Sequence, residues 1–230
     1  MPHTRVRSWG STFTAFAPGR MAVGPVGVHV ADWSRPQNGA ARIFDNAALE
    51  RMTFAGPLLP TLVYLPMGLA LLWYARRAGA PAPRLAEAYL LGLLAWTAFE
   101  YLMHRFVFHH TPSTPFGVVV QYLIHGVHHA YPADDRRWMI PIGASLPIAA
   151  AIVALAWLAG AVGIAAAGGF MHGYLVYDVI HHEVHRTTNT SRLMRALRAQ
   201  HMRHHYATPD REFGVSSPLW DAVFRTRRTK

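Results

Sequence analysis

The chain has 230 residues, 52% hydrophobic and 15% charged, with a mean hydropathy of +0.13 and a formal net charge of +10. That length makes one domain the default, and the absence of cysteine excludes disulfides and thiolate metal sites. The basic residues flank apolar runs and carry no nucleic-acid motif, so anionic lipid headgroups, not nucleic acid, are the expected counterpart.

Residues 1–42 are rich in Gly, Pro and Arg with weak periodicity, and are expected to form an irregular lead-in without the apolar core of a secretory signal. Residues 43–230 then form one membrane-embedded domain. It opens on a short amphipathic helix, at about 42–52, lying on the membrane surface. Residues 52–75 are 24 in a row without a formal charge, and residues 138–177 are 40. A helix of ~20 apolar residues crosses a hydrocarbon core about 30 Å thick, so the first run predicts one span over 53–74. The second predicts a helical hairpin turning near 160–163. A loop with strong breakers, Ala-Arg-Arg-Ala-Gly-Ala-Pro-Ala-Pro-Arg, follows the first span. Beyond it, residues 85–108 form a third apolar segment, interrupted by Glu87 and Glu100. Residues 110–137 and the last 45 are polar. The expected fold is all-α, with about four transmembrane helices and a histidine-rich cap.

Thirteen of the 15 histidines lie between His104 and His205, eleven of them in four clusters. They read His104-Arg-Phe-Val-Phe-His109, His125-Gly-Val-His128-His129, His181-His-Glu-Val-His185 and His201-Met-Arg-His204-His205. Four spans put the N-terminus, residues 109–138 and the C-terminal region on one side. Those segments hold 18 Lys and Arg, against 3 in the loop at 75–84. The positive-inside rule makes that side cytoplasmic, and all four clusters fall on it.

Helical residues at i, i+3 and i+4 share a face. His125, His128 and His129 form such a triplet, as do His201, His204 and His205; His181 and His185 are an i, i+4 pair. His104 and His109 are five apart, ~140° around a regular helix, and share a site only where the helix ends, bends or carries a π-bulge. These are ten candidate ligands, more than two closed tetrahedral zinc sites need. Ten imidazoles over two ions leave an open position on each octahedral metal. Imidazole suits Fe, Cu, Zn and Ni alike, but an open position beside a membrane favours a redox metal that binds O2. Two iron ions are therefore expected, with zinc a substitute in purified protein.

His3, His29 and His110 read as ordinary hydrogen-bonded or surface histidines, His182 as lying off the ligand face, and His172 as a non-ligand inside the fourth span. Glu100, four residues before His104, and Asp178, three before His181, are each placed to accept the free ring N–H of a metal-bound histidine. Asp134, Asp135, Arg136 and Arg137 read as a solvated or headgroup-facing charge cluster.

The clusters resemble the fatty acid hydroxylase (sterol desaturase) superfamily of membrane di-iron enzymes, and within it the fatty acid 2-hydroxylase branch. The residues that carry the resemblance are Glu100-Tyr-Leu-Met-His104-Arg-Phe-Val-Phe-His109, His125-Gly-Val-His-His129-Ala-Tyr-Pro132-Ala-Asp134-Asp-Arg-Arg137 and Gly173-Tyr-Leu-Val-Tyr177-Asp178-Val-Ile-His181. His201-Met-Arg-His-His205-Tyr206 and Phe213-Gly-Val-Ser-Ser-Pro-Leu-Trp220-Asp221-Ala-Val-Phe224 complete it. It spans about residues 40–226. It implies a four-span fold, a dimetal centre on the ten histidines and O2-dependent hydroxylation of a membrane acyl chain. No cytochrome b5-like His-Pro-Gly-Gly segment precedes the spans. The expected electron donor is thus a separate ferredoxin or cytochrome b5-like protein with its reductase.

The close alternative is a carotenoid or sterol hydroxylase or desaturase built on the same clusters. The alternative of another class is a histidine-rich membrane metal transporter or metal-binding protein. A transporter would need ligands near the membrane midplane, and here they gather on one face.

Overall fold

The computed structural model describes residues 19–23, 26–56, 58–186 and 191–228. In chain order these form β1 (Gly19–Val23), β2 (Val26–Val30), α1 (Ala47–Met52), α2 (Leu58–Arg77), α3 (Ala82–Leu102) and a π-helical turn (Met103–Phe108). Next come α4 (Pro115–Gln121), a second π-helical turn (Tyr122–Gly126), α5 (Val127–Ala130), α6 (Ile142–Trp157), α7 (Gly160–Arg186), α8 (Arg192–Tyr206) and α9 (Leu219–Val223).

The 27-residue α7 is the axis of a bundle against which α2, α3 and α6 pack. Its approach to α3 is a backbone contact. A Cβ on Gly92 would lie 2.0 Å from the Ala166 carbonyl oxygen, and one on Gly169 would lie 2.0 Å from that of Tyr89. Small residues on facing helices permit this approach. Tyr64, Trp96, Ala149, Met171 and Tyr174 fill the space where the four helices meet.

The outer faces are as apolar as the core: Leu62 is 70% exposed, Leu90 62% and Leu155 68%. A surface helix of a globular protein in water carries polar residues there. Among the described residues, α2 is the one helix both long and apolar enough to cross a membrane, and α6 is apolar but 16 residues long. The long run folds as a hairpin, as its length predicts, turning at residues 158–159.

The fold is mostly helical but not all-α. Within residues expected to be irregular, β1 pairs antiparallel with β2, and Phe44 bridges to Val28. The cause is local: in Val-Gly-Val-His-Val, Val28 and Val30 point into the core while Gly27 and His29 are partly exposed, the period-two pattern of a half-buried strand. Val28, Val30, Trp33 and Ile43 pack on Val118, Tyr122 and Val127, so the hairpin covers α4 and α5. The amphipathic helix expected at 42–52 is confined to Ala47–Met52, where Asn46 accepts from the amides of Ala48 (2.9 Å) and Leu49 (3.1 Å). Before it, the chain is extended, and the Glu50 carboxylate accepts the Ile43 and Phe44 amides at 3.0 and 2.8 Å.

In the charge cluster at 134–137, Asp135 and Arg136 are exposed as expected, and the other two members are a second correction. Asp134 and Arg137 are buried, paired at 2.5 Å, and Glu50 closes on the other side of the guanidinium. The Ala41 amide donates to Asp134 at 3.0 Å. Burial of this kind requires both carboxylates, because a lone guanidinium would leave its solvation uncompensated.

Candidate metal centre

Both π-helical turns fall at histidine clusters. At the end of α3 the His109 amide bonds the His104 carbonyl at 3.1 Å, an i to i+5 bond. The extra residue in the turn brings two histidines five apart onto one face, their rings 4.9 Å apart. At the second turn the ladder returns to α geometry by Val127, and His125 and His129 stand 4.7 Å apart. His181 and His185 sit one turn apart at the end of α7, and His201, His204 and His205 lie on the buried face of α8, whose arginines occupy the other face.

The ten rings meet in two sets of five. His104, His109, His125, His129 and His204 form one; His128, His181, His185, His201 and His205 form the other. Within each set, one ring nitrogen from every histidine lies within 4.8 Å of the rest. Eight of the ten are buried, and His109 and His185 are partly so.

Tautomers follow from the outer contacts. His104 Nδ1 donates to the Phe213 carbonyl at 2.5 Å, and His204 Nδ1 to the Arg211 carbonyl at 2.7 Å. A carbonyl only accepts, so both Nε2 atoms face inward as lone pairs. His104 Nε2 stands 3.1 Å from His125 Nε2, and His204 Nε2 is buried with no hydrogen-bond partner among the described residues. In the other set, the Nε2 atoms of His181 and His128 are 3.1 Å apart, those of His185 and His201 2.9 Å, and those of His205 and His201 3.0 Å. Burial lowers the His204 pKa to about 4. It lowers those of His125, His128, His129, His201 and His205 well below the ordinary value, with neighbouring rings adding to the effect. Buried neutral imidazoles whose ring nitrogens converge suit a cation held among them.

The remaining histidines stay outside both sets. His110 is exposed, His29 pairs with Asp45 at 2.8 Å and His182 lies against Trp138. His172 joins Tyr89 Oη (2.8 Å) to the Leu65 carbonyl (3.1 Å), and His3 lies outside the described residues.

The two carboxylates are placed otherwise than their spacing predicts. Glu100 accepts from the amides of Val215 (2.6 Å) and Ser216 (2.9 Å) and from the Ser216 hydroxyl, not from His104. Those loop amides have no helical or sheet partner, and a carboxylate one turn before the cluster satisfies them. Glu100 thereby reaches His104 at one remove, through the loop whose Phe213 carbonyl holds the ring. Asp221 fixes the same loop, accepting from Phe213 N at 2.9 Å and Gly214 N at 2.8 Å. Asp178 is buried, and neither of its oxygens bonds the His181 ring; that ring stacks instead on Tyr177. Sequence reasoning misses the Phe213 and Arg211 carbonyls because a main-chain acceptor carries no side-chain signal. The Trp220-Asp221 tail is the visible trace of that loop.

A cavity of about 760 Å³ runs from the bundle to the histidines. Tyr64, Trp96, Phe99, Ile152 and Phe170 wall its bundle end, and His104, His125, His128 and His181 border it at the cap, so it touches both sets. This volume is in the range of small-molecule sites.

A helical bundle whose cap gathers ten histidines beside an apolar cavity is compatible with metal-dependent chemistry on a lipid. Residues 89–226 match the fatty acid hydroxylase family. A dihydroceramide fatty acyl 2-hydroxylase of Arabidopsis thaliana is 34% identical over an alignment of 198 positions that covers 82% of this chain and 80% of the relative. The fatty acid 2-hydroxylase of Homo sapiens is 27% identical over an alignment of 250 positions, gaps included, that covers 98% of this chain and 67% of the relative. The solved structure of full-length scs7p, in which only the hydroxylase domain is visible, is 28% identical. It superposes with a TM-score of 0.80 and covers 86% of this chain and 76% of its own. The chain belongs to the fatty acid hydroxylase family.

Proposed function

We propose that the protein hydroxylates the 2-position of the acyl chain of a membrane fatty acid or sphingolipid, with O2 as co-substrate and two iron ions held by five histidines each. The observation that carries this reading is the pair of five-ring sets at the end of an apolar cavity. The names of the relatives supply the position and substrate class. Bound iron supplies the O2 activation that an unactivated C–H bond demands. The chain's own part is to hold the rings neutral and aimed inward, through the Phe213 and Arg211 carbonyls among others, and to keep water from the acyl chain with the apolar cavity wall. Zinc takes the same nitrogen sites in metal-replete but inactive preparations.

In this reading α2, α3, α6 and α7 are four membrane spans. The exposed leucines of α2, α3 and α6 support it, as does the 18-to-3 partition of basic residues, which puts both termini and the cap in the cytoplasm. The domain starts before residue 43, since Val28 and Val30 of β2 and Trp33 belong to the cap's packing. Electrons come from a ferredoxin or a cytochrome b5-like protein with its reductase.

The test is iron-loaded protein in vesicles containing a ceramide with an unhydroxylated acyl chain, supplied with a reducing system and isotopically labelled O2. Mass spectrometry is expected to find the 2-hydroxy product with oxygen from O2 and not from water. Hydroxylated carotenoid or a new double bond in native membranes, with acyl chains unchanged, would overturn the substrate assignment. Metal crossing vesicles without O2 consumption would overturn the enzyme.

A further inference from the structure

The segment from Tyr122 to Ala130 is in an unusual position: its histidines serve both sets. His125 and His129 belong to one and His128 to the other, so a small rotation of this segment displaces ligands of both at once. The first π-helical turn and α7 each serve one set. α8 serves both, but it is tied from the C-terminal side by the His204 ring bond to Arg211, by Arg203 to Glu212 at 2.6 Å and by Gln200 to the Gly214 carbonyl at 2.9 Å.

The Tyr122–Ala130 segment is held from the other end of the chain. Trp33 lies on Gly126, where a Cβ would stand 2.9 Å from its Cδ2, and its ring meets that of Tyr122 at 5.9 Å. The Gln37 amide caps the Ala130 carbonyl at 2.7 Å. No bond to a carbonyl fixes the His128 ring, whose Nδ1 has no hydrogen-bond partner among the described residues. Its aim therefore depends on where the backbone is put. Every one of these supports comes from residues before 46, outside the stretch that matches the family.

We infer that the N-terminal arm, with Trp33 as its wedge, is a positioning brace that sets the Tyr122–Ala130 segment so that both five-histidine sites are completed together. Trp33 is a positioning residue: it acts through Gly126 on the π-helical turn that aims His125 and on the helix that follows. This rests on the two-metal reading above.

The experiment is a titration of chelator-stripped full-length protein with cobalt(II), followed by absorbance, with helix content and melting temperature measured on the same samples. Wild type is expected to take two ions per chain. Trp33→Ala should retain helix content but bind the second ion about 10- to 100-fold more weakly, the range seen when groups that orient metal ligands are removed. Trp33→Phe should restore most of the affinity. If Trp33→Ala does not fold, Gly126→Ala tests the same contact from the other side, since its methyl must push the segment off the indole. The double variant W33L/G126A, which makes room for that methyl, should recover the second ion. Two unaltered binding steps in Trp33→Ala or Gly126→Ala, with only a lower melting temperature, would overturn the brace while leaving two-metal binding intact. Wild type that binds fewer than two ions would instead overturn the two-metal reading, and the brace with it.

Discussion

The motif His-x-x-His-His occurs twice, at His125 and at His201, and the structure uses the two copies in opposite senses. In the first, the i and i+4 rings join the set of His104 and the i+3 ring crosses to the set of His181. In the second, His201 and His205 join the set of His181 and His204 crosses back. Identical spacing thus builds a reciprocal exchange, in which each helix gives two rings to one set and one to the other. The supports differ as sharply. The second copy lies on a regular α-helix and is fastened by hydrogen bonds to the C-terminal loop. The first begins in a π-helical turn and is fastened by packing against the N-terminal arm. A repeated motif specifies which rings share a face; what aims that face is decided by segments distant in sequence.

The largest effect expected comes from removing the crossing ring of either copy. His128→Ala and His204→Ala each leave one set with four rings and the other intact, so each is expected to lower bound metal from two ions toward one per chain. Product should fall below detection in both. His110→Ala, at an exposed position beside the first pair, should keep two ions and most activity. Metal analysis of the three variants checks the exchange. A His204→Ala protein with two ions and wild-type turnover would break it, and so would a folded His110→Ala protein as inactive as His128→Ala.

A smaller effect separates the supports. Glu100 holds the 213–216 loop through two amides and a hydroxyl, and the loop holds His104. Glu100→Ala orphans the Val215 and Ser216 amides, at a cost of about 1–3 kcal/mol. It should also weaken metal binding about 10- to 100-fold. Glu100→Gln retains an acceptor for both amides and should lie close to wild type. Chemical unfolding and metal titration read the two quantities separately. Equal losses in the Ala and Gln variants would mean that the negative charge acts on the metals directly.

The legibility of the sequence follows the same division. Histidine spacing brings out all ten clustered rings, because helical periodicity converts directly into a shared face. The five-residue gap between His104 and His109 permits an ending, a bend or a π-bulge, and the i to i+5 bond shows the last. Helix positions were legible from apolar run length, with the 40-residue run folding as its predicted hairpin. Three things were not. The hairpin at 19–30 hides among Gly and Pro, where a five-residue alternation is short against the surrounding breakers. Glu100 has the right spacing for the His104 ring, but loop amides more than a hundred residues away compete for it and win. Asp134 and Arg137 look solvated in a charged run, and it takes Ala41 and Glu50, some ninety residues earlier in the chain, to enclose them.

The smallest effect expected concerns the helix starts that carry the two copies, and it asks whether stability and ligand aim are separable. Thr114 Oγ1 accepts the Gly117 amide at 3.1 Å ahead of α4, and Ser191 Oγ accepts the Met194 amide at 3.2 Å ahead of α8. Loss of either cap should cost about 1 kcal/mol. Both caps lie about ten residues before the first histidine of their copy, at the far end of the helical segment that carries it. Thr114→Ala and Ser191→Ala should therefore lower stability by similar amounts while leaving two-ion binding and its affinities unchanged. A weakened second ion in Thr114→Ala alone would mean that the first copy is aimed by its own helix as well as by the arm. That outcome would move part of the positioning from Trp33 to α4 without disturbing the exchange of rings between the two sets.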